Sequence, residues 1–391
     1  MRHKESESSF IKYFVYLCVT SWLKIKEEKV KKVMFLVILS LLLLASFVLA
    51  ENLGTLEEVL VPEMIQVSGD ELYVLEGATI YVYSLKDLKL LCKFGQKGEG
   101  PGELKIMASF PNNFTVYPDY VFVQGFDKVI FFTKQGKLIR EQRFNMITKI
   151  LPLKEKFVIK TFPFEDKNGK TYWAIKLCDS DLKEIKELYR QEFPIQFQKA
   201  AHAIPMIADA LNFQVYDEKI FIEESPKGFL IEVFYPTGKK LYQIDKKSEK
   251  IKVPEEYKKI VENHLKENFL HKKVNFFVPL HIMEAGWDEF KKWTALIYPD
   301  YLPPIRDIFI DNHKIYVQTF KRQDNKQEYI IMDLKGNMIK KVYLPVVQPS
   351  TFASEMVGLG LKFCAIDKDR FVYLVENQEE EEWNVHVVDI K

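Results

Sequence analysis

What most constrains this chain is a recurring unit of short alternating apolar runs. It shows most plainly at 120–144, YVFVQGFDKVIFFTKQGKLIREQRF, where three such runs are parted by Gly125-Phe126-Asp127 and by Lys134-Gln135-Gly136-Lys137. Short runs of β-branched and aromatic residues between Gly/Asp breaks are the pattern of antiparallel strands. Aligned on a central run, further units start at Glu71 (ELYVLE), Tyr120 (YVFVQG), Lys156 (KFVIKT), Lys219 (KIFIEE), Lys314 (KIYVQT) and Arg370 (RFVYLV). Most are preceded by another apolar run across a small polar turn, as at 64–67, 114–117, 213–215, 308–310 and 363–366. Each is followed by a third, at 80–83, 129–132, 172–177, 230–234, 329–332 and 385–388.

The turns into the fourth run are the most alike: TKQGKL at 133–138, YPTGKKL at 235–241 and DLKGNMI at 333–339. SLKDLKL at 84–90 and CDSDLKEI at 178–185 lack the glycine. Gly after a polar residue supplies the positive φ that such a hairpin needs. Four antiparallel strands repeated six times describe a six-bladed β-propeller, an all-β fold in which radial repetition leaves only short sheet edges. The sixth unit lacks a fourth strand before the chain ends at Lys391, and 55–60 (TLEEVL) precedes the first complete unit. That N-terminal segment is therefore expected to close the last blade and cover its open edge. Two stacked sandwiches of hairpins would not explain six regular units with one displaced strand.

The connections between units are long: 95–111, 193–210, 254–304 and 345–360. In a four-stranded meander they emerge at one end of the blades, so they share one face, and loops on rigid strands are where binding function concentrates. Within 254–304 a helix is expected over 255–269, from the stripe Tyr257, Ile260, Val261, His264, Leu265 and Phe269, with Pro254 suited to its first turn. A second short helix is expected over 287–297. Together these make 254–303 a helical insertion between blades four and five. It is a cap packed on the disc or, in the sharper reading, a lid carrying Trp287 and Trp293.

The stretch FGQKGEGPGEL at 94–104 resembles the signature of NHL-repeat and related bacterial six-bladed β-propeller proteins, in which a glycine-rich loop leads from an outer strand to the next blade. The stretch occurs once, and Leu104 stands where an aromatic is usual, so the resemblance is to a divergent member. Phosphate cradling is not signalled, for there is no GK[ST] and no following helix. Some enzymes on such propellers bind a divalent cation in the central channel, and the resemblance permits one here. The polar residues near first-strand starts are Glu63, Asp209, Asn212, Arg306 and Asp307. They are candidates for a channel mouth, with Arg306 able to hold a carboxylate or sugar acid; rim salt bridges are the plainer alternative.

Lys31-Lys32, the apolar run 33–50 (VMFLVILSLLLLASFVLA) and a small residue at Ala50 form a secretory signal pattern. A start near Val30 gives it ordinary proportions and makes 1–29 a leader or start-site artefact. The mature chain, 51–391, is then expected to be secreted or periplasmic, with a membrane association only if the segment is uncleaved. Lys+Arg number 56 against 55 Asp+Glu, so no global field favours nucleic acid. Cys92, Cys178 and Cys364 lie in strand-like runs without CxxC or metal-ligand spacing, as buried thiols would. His202, His264, His271, His281 and His313 have no ligand spacing on an expected element, and no nucleophile elbow or HExxH occurs.

The sequence thus favours a non-catalytic module that binds a peptide, glycan or protein, with no resident cofactor. The alternative is a lyase or hydrolase using a divalent ion in the channel.

Overall fold

The computed structural model describes residues 50–106, 112–145, 147–192, 202–205, 211–256, 274–278, 281–285, 294–347, 362–377 and 379–390, together with 258–259, 262–263, 266, 287–288 and 291. The strand pairings build a six-bladed β-propeller of four-stranded antiparallel blades. Blade one pairs Met64–Ser68, Glu71–Glu76, Thr79–Ser84 and Leu90–Phe94 in sequence order. Blades two to five follow the same meander from first strands at Asn113–Val116, Ile147–Leu153, Leu211–Tyr216 and Asp307–Asp311, blade three with a short extra strand, Phe164–Glu165, paired to its third. Blade six takes Cys364–Asp367, Arg370–Asn377 and Glu382–Asp389 from the C-terminal end, and its fourth strand is Glu51–Thr55.

The closing strand is the expected device, displaced toward the N-terminus. Glu51 pairs with Val387 and Thr55 with Asn384, whereas 56–60 of the expected TLEEVL lie beyond the ladder. Leu56 and Val59 instead bury between blades six and one, which is why that stretch looks strand-like. Trp383 Nε1 donates to Leu60 O at 3.0 Å and ties the segment down.

Closure is visible in the core. The buried apolar residues fall into clusters that each join one adjacent blade pair: one–two around Phe114 and Phe132, two–three around Phe122 and Phe157, three–four around Leu177 and Phe213. Four–five follows around Phe221 and Ile315, five–six around Tyr329 and Phe371, and six–one around Val372 and Leu72. Each sheet is packed by a neighbour on both faces, so the middle strands bury apolar residues on both sides.

Two turn types set the register. Between first and second strands, Asp217-Glu218, Asn312-His313 and Lys368-Asp369 all have positive φ at both positions, the type I′ geometry that matches strand twist. Between third and fourth strands a three-residue turn ends on positive φ and is followed by a bulge. Gly136, Gly238 and Gly336 take that place. In the units without glycine Leu182 takes it at φ 63°, and Leu88, at φ 51°, ends a turn one residue longer. A Cβ on Gly136 would meet Phe94 Cγ at 2.5 Å, and one on Gly336 would meet Ile244 Cγ2 at 2.6 Å. Each of these turns therefore presses on the fourth strand of the preceding blade.

Near the axis the first strands diverge, and side chains satisfy backbone groups that no ladder reaches. Gln66 Nε2 donates to Phe114 O (2.8 Å) while its Oε1 accepts from Val116 N (2.9 Å), joining blades one and two. Gln124 does the same for Thr148 O and Ile150 N, and Gln214 reaches Ile308 O.

The glycine-rich loop is filled from within. Glu103 accepts from Gly100 N at 2.7 Å and from Gln96 Nε2, so a carboxylate of the chain occupies the amide donors. Lys128, 1% exposed, donates to Gly100 O and Glu141, and Leu104 plugs the blade one–two core.

No α-helix is delimited among the described residues of 254–303. The delimited elements there are strands Val274–Val278, His281–Ala285 and Thr294–Ile297, while the described residues 255–256, 258–259, 262–263, 266, 287–288 and 291 are helical in conformation. Tyr257, Ile260, Val261, His264, Leu265 and Phe269 of the expected helix lie outside the described residues, as does the apolar segment 33–49. Cys92, Cys178 and Cys364 are unpaired.

Candidate functional site

In an antiparallel meander the start of each first strand, the end of each second strand and the end of each fourth strand share one end of the blade. The long connections join fourth strands to first strands, so they leave and re-enter at that end. Two of them pair directly: His202–Pro205 runs parallel to Thr294–Ile297. The foot of the larger one is pinned where Leu302 N donates to Ile251 O and Val253 N to Asp300 O.

At this same end, three consecutive blades place a polar cross-strand pair at one structural position, four residues before the first-to-second turn. The pairs are Lys149 with Lys160, Asn212 with Glu223, and Asp307 with Gln318. Their side chains link into an arc around the channel mouth. Lys149 Nζ donates to Asn212 Oδ1 (2.7 Å) and Phe213 O (2.7 Å). Asn212 Nδ2 donates to Asp307 Oδ1 (3.1 Å), and Lys362 Nζ from blade six donates to Asp307 Oδ2 (2.8 Å). The arc thus alternates cation, amide, carboxylate and cation across blades three to six. Each ammonium also lies near an aromatic ring: Lys149 near Phe213 (5.0 Å), Lys160 near Trp173 (4.3 Å) and Lys362 near Phe309 (5.1 Å).

Electrostatics single out part of this cluster. Burial, with Lys362 beside it, brings the Lys149 ammonium down to about 7. Burial alone brings Lys160 down to about 8, against the pull of Glu223. Burial also lowers Lys362, but the ion pair with Asp307 outweighs it and the net shift is upward. Glu223 is fully buried, and neither carboxyl oxygen has a hydrogen-bond partner among the described residues. Burial, and then Asp307, holds its carboxyl well above the carboxylate range, against the pull of the three lysines.

Of the residues expected at a channel mouth, the structure brings Asn212 and Asp307 into contact. Arg306, next along from Asp307, turns its guanidinium toward the Phe320 ring at 5.6 Å. Glu63 joins through its backbone, accepting from Lys362 N. Its side chain points elsewhere, toward the Gly77 amide and Glu76, and burial raises its pKa. Asp209 and Trp293 lie outside the described residues; Trp287 has the Lys291 ammonium 5.4 Å from its ring. Lys149, Lys160, Lys362 and Glu223 were not among the expected residues. Counting back from each two-residue turn would have found the first two and Glu223, because the same register position is polar in three successive units. Among the described residues no group of His, Cys, Asp and Glu could hold a metal ion.

The fold and this site define a six-bladed β-propeller with a charged arc at one channel mouth. No protein-family model matches the chain, and no curated protein matches it, so the NHL-repeat resemblance stays at the level of its motif. Among solved structures it is similar to the Neurospora crassa Pan2 WD40 domain, at 9% identity over 88% of this chain and 96% of that one, TM-score 0.39. It is likewise similar to the Myceliophteria thermophila Cps50 (Swd1) β-propeller domain, at 10% identity over 86% and 99%, TM-score 0.37. The N-terminal domain of Nup159 follows, at 11% identity over 87% and 95%, TM-score 0.33. The blade count rests on the strand pairing described above and takes nothing from these likenesses.

Proposed function

We propose that this propeller is a secreted or periplasmic binding module that takes a peptide, glycan or protein ligand at its loop-bearing end, with the channel mouth as the recognition patch. The observation that carries this reading is the arc Lys149–Asn212–Asp307–Lys362, assembled from four blades at the end where the long connections leave and return. A fold does not name an activity, so the reading stands on these groups alone. Charged and amide groups held partly desolvated on rigid strands gain affinity for a polar ligand because little ordering remains to be done on binding.

Arrays of cell-wall glycans and secreted peptides, probed with the purified chain, supply the test when combined with hydrogen exchange. A ligand should protect amides at the starts of the first strands of blades three to six. Protection confined to the turn-bearing end would overturn the assignment. Elemental analysis guards the other side: one tightly held divalent ion per chain, lost on replacing Asp307, would favour the metal-dependent lyase or hydrolase instead.

A further inference from the structure

We propose that Lys149 and Lys160 together receive the carboxylate of an acidic sugar, a uronic acid unit, at the channel mouth. This deepens the binding reading above and rests on it. The two lysines are directly opposite on adjacent antiparallel strands, so their side chains project from one face of blade three. Like charges in that position repel and destabilise the sheet unless something lies between them. Neither ammonium is in contact with a carboxylate among the described residues. Lys149 bonds only neutral oxygens, and Lys160 lies against the Trp173 ring. Lys362, by contrast, has its acid in Asp307. Two ammonium groups held against burial with no carboxylate in contact are a position that an entering anion would stabilise.

Glu223 supplies the independent observation. It is fully buried, both its oxygens lack partners, and it lies within electrostatic reach of Lys149, Lys160, Lys362 and Asp307. Its unsatisfied oxygens mark a polar position beside the lysine pair that no described side chain fills. The remainder of the arc alternates donors with acceptors, and sugar hydroxyls, which both give and accept, match that alternation. A peptide C-terminus brings only one amide beside its carboxylate.

The groups facing the lysine pair are Glu223 of blade four, Asp307 of blade five and Lys362 of blade six. With Lys149 at about 7 and Lys160 at about 8, affinity for an anion falls as pH rises through that range. Titration calorimetry of galacturonate and glucuronate into the full chain, with galactose, glucose and N-acetylglycine beside them, tests the inference. The uronates should bind and the neutral sugars should not, with binding lost on the alkaline side of the range. Lys160→Met should weaken uronate binding at least tenfold with thermal stability unchanged or raised, an outcome a purely structural lysine would not give. Lys160→Arg should carry binding to higher pH.

Uronate binding indifferent to Lys160→Met would overturn the site, and N-acetylglycine binding as tightly as the uronates would overturn the ligand class. If no uronate binds yet another ligand protects the loop-bearing end, this inference fails and the binding reading survives. If nothing protects that end, both fall.

Discussion

Replacing Gly136 by alanine tests how the blades are keyed to one another. Gly136 sits at φ 83°, and a Cβ there would lie inside contact distance of Phe94, 2.5 Å from its Cγ. Two costs add. An L-residue in the left-handed region costs about 1–2 kcal/mol. The steric cost is separate, because the nearest atoms belong to the base of the Phe94 side chain and cannot swing aside. Phe94 is 8% exposed and packs on Phe132 with ring centroids 5.3 Å apart. Either the turn or the fourth strand of blade one must shift, and overpacking of this kind costs about 1–3 kcal/mol.

Gly69 separates the two terms. Its φ is 65°, but a Cβ there meets nothing within 4 Å, so Gly69→Ala carries the conformational cost alone. Urea unfolding of the two variants beside the parent should place Gly136→Ala below Gly69→Ala by about 1–3 kcal/mol with unchanged slope. Equal losses, within about 0.5 kcal/mol, would refute the claim that the third-to-fourth turns lock each blade onto its predecessor.

Other outcomes follow from the same physics. Lys128→Met leaves Gly100 O without its buried donor and takes one partner from the part-exposed Glu141, and should cost about 1–3 kcal/mol by chemical unfolding. Glu224, whose carboxyl burial and the neighbouring Glu232 raise to about 7, keeps its proton in the folded chain where the unfolded chain has lost it. Its contribution is full below about pH 4.5 and is lost as pH rises through about 7. Relative to Glu224→Gln, the parent should lose thermal stability across that window; a constant difference between the two would sink the assignment. Leu56→Ala opens the blade six–one core and should cost about 2–5 kcal/mol in the same unfolding assay. Exchanging 254–299 for a short turn should leave a cooperatively unfolding disc, since the foot of the insertion is already held between Ile251 and Leu302, while ligand binding is lost if the insertion acts as a lid.

The propeller was legible because its turns repeat: G-K-L and its relatives mark the third hairpin, and two-residue polar breaks mark the first. The closing strand was misplaced because Leu56 and Val59 are apolar for a tertiary reason, plugging the seam between two blades, while Glu51–Thr55 pairs on an outer edge where apolar alternation is not required. At the mouth, Asn212 and Asp307 were visible as polar residues opening apolar strands. Lys149 and Lys160 were not, since a lysine in a strand ordinarily reads as a solvent-facing residue. Glu223 was hidden for the same reason, inside KIFIEE, where only the three-dimensional neighbourhood shows that it never meets water.

The strand that completes blade six has a consequence for how the molecule is made. Thr55 Oγ1 donates to Asn384 Oδ1 across 329 residues of sequence, so the segment synthesised before every other blade strand has no ladder partner until the last of them has been made. A chain cut short anywhere leaves that strand unmatched and one sheet margin bare, and such margins recruit neighbours. Ring closure therefore acts as a proofreading step: only a finished polypeptide can hide its own sticky edge.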